Sequence, residues 1–128
     1  MSSSPRYDGS LTIAMQVKDR KTATEWYGSR LGFELLYDVA DIGWCEVATK
    51  VAGGTVTLGF SEVEQPKVGG PTPVFGVVDL DETRGRLEKD GVRFDGPTQT
   101  IPDMVKLATF YDPDGNALML SQSLTKGT

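Results

Sequence analysis

The sequence contains no histidine. Ser-His and Cys-His pairs, which activate a nucleophile through imidazole, are therefore excluded, and so is imidazole ligation of a metal. Cysteine is almost as scarce: Cys45 stands alone among 128 residues, which rules out an intrachain disulfide and any zinc-ribbon spacing, and fits a reducing compartment. Without an imidazole partner to form its thiolate, Cys45 reads as a small buried hydrophobe. Positive charge is in deficit, with 13 Lys and Arg against 18 Asp and Glu and a formal net charge of -5. A nucleic-acid surface needs clustered cations, so that partner class is set aside, whereas a cationic small ligand suits the balance. No apolar run approaches the roughly 20 residues of a membrane span, and the first residues are polar and lack the apolar heart of a signal peptide. The expectation is a soluble cytoplasmic protein, one domain over residues 1–128, with a frayed N-terminus.

What is present is strong alternation punctuated by turn chemistry. Residues 11–17 alternate with a period of two, Ile13, Met15 and Val17 on one face and Thr12, Ala14 and Gln16 on the other. Asp19 then caps a helix in which Ala23, Trp26, Tyr27 and Leu31 recur at helical spacing, stopped by Gly32. Strands are expected over 33–39, 44–49 and 55–60. Residues 61–71 hold two prolines and Gly69-Gly70 and read as a linker. The pattern then restarts: a strand over 73–78, a helix over 79–90 stopped by Gly91, a short strand over 92–94, a loop over 96–104, and strands over 105–111 and 117–123. Asp112-Pro113-Asp114-Gly115 joins the last two as a tight turn, which accounts for both carboxylates without a functional role. Asp19 and Asp79 lie 60 positions apart (79 - 19 = 60), and Gly32 and Gly91 lie 59 apart (91 - 32 = 59), a weak internal repeat of one βαβββ unit.

The hairpin Phe110 to Leu120, together with Val17-Lys18-Asp19, Glu25-Trp26-Tyr27 and Leu31-Gly32-Phe33-Glu34 upstream, resembles the vicinal oxygen chelate family of glyoxalases, bleomycin-resistance proteins and extradiol dioxygenases. The resemblance covers about residues 11 to 123. It implies an α+β fold of two βαβββ modules, here 11–62 and 72–123 joined by the linker, forming an open cup-shaped mixed sheet with helices outside. It also implies a homodimer, since members usually cover exposed edges by pairing chains.

Each helix must bury its apolar stripe on a sheet, so the more apolar face of each strand belongs under a helix and the other lines the cup. Ile13, Met15, Val17, Cys45, Val47, Val56, Leu58, Phe60, Leu118 and Leu120 go beneath the helices; Thr12, Gln16, Trp44, Glu46, Thr57 and Met119 go to the cup. The 73–78 strand is apolar on both faces, and alignment with the family sends Pro73, Phe75 and Val77 to the cup. The metal-binding positions implied by the family fall on Thr12, Thr57, Pro73 and Met119, none of which suits a divalent ion. No metal site and no cofactor is expected. Trp44 and Phe75 are candidates to stack on a planar guest, Thr12, Gln16, Thr57 and Met119 to complete its binding wall, and Glu46, the one carboxylate in the cup, is the candidate catalytic base. These residues favour a metal-independent protein that sequesters an aromatic or cationic small molecule, as a drug or natural product would be held. The alternatives are a metal-independent isomerase, epimerase or cyclase using Glu46, or a remnant that binds nothing.

Overall fold

A computed structural model describes residue 6 and residues 8–125; the N-terminal residues expected to fray fall largely outside that range. The described residues form two α-helices, a short 3-10 turn at Ala40–Ile42 and nine strands in two sheets. The first is ordered β1(Ser10–Val17), β4(Thr55–Glu62), β3(Trp44–Ala48), β2(Glu34–Val39), with α1(Arg20–Leu31) between β1 and β2. The second is ordered β5(Val74–Gly76), β9(Ala117–Ser123), β8(Val105–Tyr111), β6(Arg93–Phe94), with β7(Gln99–Ile101) also paired to β8 and α2(Leu80–Lys89) after β5. In each sheet the strand before the helix pairs parallel, β1 with β4 and β5 with β9, as the repeat requires.

The caps explain the helix limits. Asp19 accepts from the Lys21 N–H and Asp79 from the Glu82 N–H, both with extended backbone, which satisfies first-turn donors. Gly32 ends α1 with φ 76°, a left-handed conformation that side chains with a Cβ rarely adopt. The expected loop over 96–104 is in part a strand. Its residues Gln99, Thr100 and Ile101 are exposed and show no core-facing alternation, so only their pairing with β8 makes them β7.

Val17, Cys45, Val47, Leu58, Phe60, Leu118 and Leu120 are buried in one cluster with Ala23, Tyr27, Leu80, Leu87 and Phe110, and Ile13 and Met15 pack against it. Aromatic contacts cross between modules, Trp26 with Phe110 at 6.4 Å and Phe33 with Phe75 at 5.6 Å between centroids. The Asp-Pro-Asp-Gly turn adds a polar clasp. Asp112, 4% exposed, accepts from the Tyr27 hydroxyl at 2.9 Å, from the Asp114 and Asn116 N–H groups and from the Asn116 amide, which also donates to the Gln16 carbonyl.

Phe75 departs from the sequence expectation. It pairs with Leu120, so it lies on the helix face, while Val74 and Gly76 share the opposite face with Met119 and Ser121. Parallel pairing to β9 sets this parity, and Pro73 and Val77, two residues to either side of Phe75, belong to the same face. The 60-residue repeat carries the same information, because it maps Phe75 onto Met15.

Candidate functional site

On the face of the first sheet turned away from the core, β1, β2, β3 and β4 bring five hydrogen-bonding side chains together. Thr12 stands opposite Thr57 and Tyr37 opposite Glu46 in strand register. The Tyr37 hydroxyl donates to Glu46 Oε1 at 2.6 Å, and the Thr57 hydroxyl donates to Glu46 Oε2 at 2.8 Å. Trp44 Nε1–H donates to the Tyr37 oxygen at 3.2 Å. The hydroxyls of Thr12 and Thr57 lie 2.7 Å apart; since Thr57 has given its single proton to Glu46, Thr12 is the donor of that pair. Thr12 also reaches Glu46 Oε2 at 3.5 Å. Two hydroxyls, of Tyr37 and Thr57, donate to the carboxylate, and Trp44 and Thr12 donate in turn to those hydroxyls, so the hydrogen bonds of the network lead toward Glu46. Thr57 is buried, Trp44 and Glu46 are half-buried and Thr12 is exposed, so the network runs from the sheet floor to solvent. The Tyr37 phenol is held above its ordinary value, chiefly by the hydrogen bond to Glu46.

Gly59 makes room for Trp44. A Cβ on Gly59 would fall within the Trp44 ring carbons, so the indole lies directly on the β4 backbone. The result is an aromatic shelf beside a carboxylate. Next to it a cavity of about 490 Å³ is bounded by Thr12, Ala14 and Gln16 of β1, by the linker from Lys67 to Thr72, and by Ala117. The Gln16 carboxamide oxygen accepts from the Lys67 N–H at 2.8 Å and so pins the linker over this cavity.

Thr12, Trp44, Glu46 and Thr57 thus meet in one network, with Gln16 on the adjoining wall. Met119 lies on the second sheet, paired with Val74 and Thr109, and Phe75 faces the core. Tyr37 escaped the sequence reading because of a bulge: the register shifts between Leu35 and Tyr37, which brings Tyr37 rather than Leu36 opposite Glu46. Simple alternation cannot reveal that.

Residues 9–120 match the family model of the Glyoxalase/Bleomycin resistance protein/Dioxygenase superfamily. The chain belongs to that superfamily. Among solved structures it is similar to TnmS3, an antibiotic binding protein from Streptomyces sp. CB03234, with 28% identity, 95% of this chain and 99% of that one covered, and a TM-score of 0.73. It is also similar to a glyoxalase/bleomycin resistance protein from the same Streptomyces strain (29% identity, 90% and 100% covered, TM-score 0.69). A superfamily member from Sphaerobacter thermophilus DSM 20745 shows 27% identity over 93% of this chain and 98% of its own, with a TM-score of 0.71. No curated protein matches the chain.

The donor set does not fit the divalent ion of the superfamily's metalloenzymes. Thr12 and Thr57 spend their hydroxyls on each other and on Glu46, the one carboxylate of the group. The repeat places the second-module counterpart of Thr12 at Thr72 rather than Pro73, and that residue offers another hydroxyl (12 + 60 = 72). Among the described residues no three His, Cys, Asp or Glu converge as a metal group. No helix among them is long and apolar enough to cross a membrane.

Proposed function

We propose that the chain is a metal-independent binding protein that sequesters a small planar organic molecule carrying a cationic or N–H donor group, on the Trp44 shelf against Glu46. The observation that carries this reading is the direction of the hydrogen bonds. All protons of Trp44, Tyr37, Thr57 and Thr12 run toward Glu46, so what the network has left for a guest is acceptor capacity on the carboxylate and on the Thr12 oxygen. A guest that donates is matched there and one that only accepts is not. The similarity to an antibiotic binding protein supports sequestration in the same sense. Use of Glu46 as a general base is less favoured, because both of its oxygens are already engaged by hydroxyl donors and one would have to be released before it could take a proton.

The proposed unit is the whole chain, modules 11–62 and 72–123 joined by the linker, acting as a cytoplasmic homodimer without nucleic-acid or membrane partners. Support for pairing comes from β2, an edge strand exposed along its whole length, with Leu35, Leu36 and Val39 on it and Ile42 following. Met119, Val74 and Ser121 share the face of the second sheet opposite Phe75.

A thermal-shift screen of planar organic cations against neutral analogues that lack N–H and O–H donors and against anionic analogues, with EDTA present, tests the proposal. Ligand bound only by the folded state raises the melting temperature by mass action, so cations should stabilise and the other two classes should not. Equal shifts from all three classes, or shifts lost on chelation, would refute it.

A further inference from the structure

A second cavity lies away from the Glu46 network. It measures about 570 Å³ and opens on the helix side between the C-terminal turns of α1 and α2, residues 50–52 and β5. That volume falls in the range of roughly 300–1,000 Å³ usual for small-molecule sites. Its apolar wall is built by Phe33 and Phe75, 5.6 Å apart between ring centroids, with Leu31, Val77 and Leu87. This is where the Phe75 side chain goes once β9 has turned it from the opposite face.

The charges on this wall invert those of the molecule. Arg30, Lys50 and Arg86 line the cavity against the single carboxylate of Asp90, a formal balance of +2 (3 - 1 = 2), in a chain whose net charge is -5. Lys50 is committed to Glu34 at 2.9 Å. Arg30 is not committed: Nη1 donates to the neutral Ser29 hydroxyl, and Nε is buried without a hydrogen-bond partner among the described residues. A buried guanidinium donor left without an acceptor is costly, and a carboxylate is the group whose two oxygens match its fork. Arg30 and Arg86 both stand in the last turns of their helices, where they offset the helix dipoles and leave the cavity mouth cationic.

We propose that this cavity is a second binding site, separate from the Trp44 shelf, that takes an amphipathic carboxylate. The acid's apolar body lies on Phe33, Phe75 and Leu87, and its head meets Arg30 and Arg86. The site has the opposite charge preference from the Glu46 network, so the two are separable by ligand class and independent of one another.

Isothermal titration of the full chain with decanoate, below its micelle concentration, tests this directly, with decyltrimethylammonium and a neutral decyl glycoside as comparators. Decanoate should bind one per chain and each comparator at least roughly tenfold more weakly, the weight of a charge-assisted hydrogen bond. Arg30→Gln and Arg86→Gln should each cost decanoate roughly tenfold at unchanged circular dichroism, while Trp44→Phe leaves it unaffected. Should Arg30→Gln fail to fold, Arg86→Gln, on an exposed position, carries the test alone. Absence of decanoate binding, equal affinity for all three amphiphiles, wild-type affinity in Arg86→Gln, or loss of binding in Trp44→Phe would each overturn the proposal.

Discussion

Gly59 is the position at which the site tolerates least change. Because a Cβ there meets the Trp44 ring, Gly59→Ala must push the indole off β4 or distort the strand, and overpacking of this kind costs about 1–3 kcal/mol. Urea unfolding should show that loss, and Trp44→Ala in the same chain should recover most of it; equal destabilisation with and without the indole would mean that the shelf geometry is misassigned. Cys45 gives an independent check on the opposite face. Burial pushes its thiol up to about 11, so it should resist a thiol reagent at pH 8 in the folded protein and react on unfolding. Rapid labelling of the native chain would place Cys45 on the wrong face of β3. Glu46 and its donors are tied together in the same way, residue by residue, and none of them acts alone.

Among the elements, the Asp-Pro-Asp-Gly turn does more than reverse the chain. Its Asp112 carboxylate is buried and receives the Tyr27 hydroxyl of α1, so the hairpin of the second module is bolted to the helix of the first. Asp112→Ala would strand that hydroxyl and the Asn116 donors and should cost roughly 3 kcal/mol or more, read as a fall in denaturation midpoint at constant m-value. A loss under 1 kcal/mol would mean that the turn alone fixes the hairpin. The helices, their aspartate caps and glycine stops, and the core faces of β1, β3, β4 and β9 were legible in the sequence, because polar and apolar residues alternate cleanly there. In three elements one feature was not. β5 is apolar on both sides, so alternation is silent about Phe75 and only its partner strand decides the face. β2 carries a bulge at Leu36 that swaps Leu36 for Tyr37 opposite Glu46. β7 is three exposed residues whose strand character comes from pairing with β8 rather than from their own pattern. Of the residues named for the cup, Thr12, Trp44, Glu46 and Thr57, on cleanly alternating strands, therefore share one face as expected, while Tyr37 joins them unforeseen and Phe75 lies on the opposite face.

For the whole molecule, the Tyr27 clasp makes stability depend on alkaline pH. Burial, with Asp112 beside it, raises the Tyr27 phenol well above its ordinary 10. Below pH 10 both folded and unfolded states keep the proton and the contribution is constant. Above pH 10 the unfolded chain releases it while the folded chain retains it, so the unfolded state binds fewer protons and stability falls by about 1.4 kcal/mol per pH unit from this residue. Tyr27→Phe should remove that part of the slope, and an unchanged slope would contradict the clasp. At the same scale, light scattering should give twice the chain mass if the β2 edge is covered by a second copy, and a monomer at all concentrations would leave that edge unexplained. The central claim, a metal-independent shelf at Trp44 facing Glu46, is tested most directly by tryptophan fluorescence. The single-tryptophan variants Trp26→Phe and Trp44→Phe would be titrated, in EDTA, with the planar cations selected by the thermal-shift screen. Trp26 packs beside Tyr27 and Phe110 on the core side, so quenching should persist in Trp26→Phe, vanish in Trp44→Phe and weaken in Trp26→Phe carrying Glu46→Gln; quenching that survives in Trp44→Phe, or that requires added metal, would contradict the account.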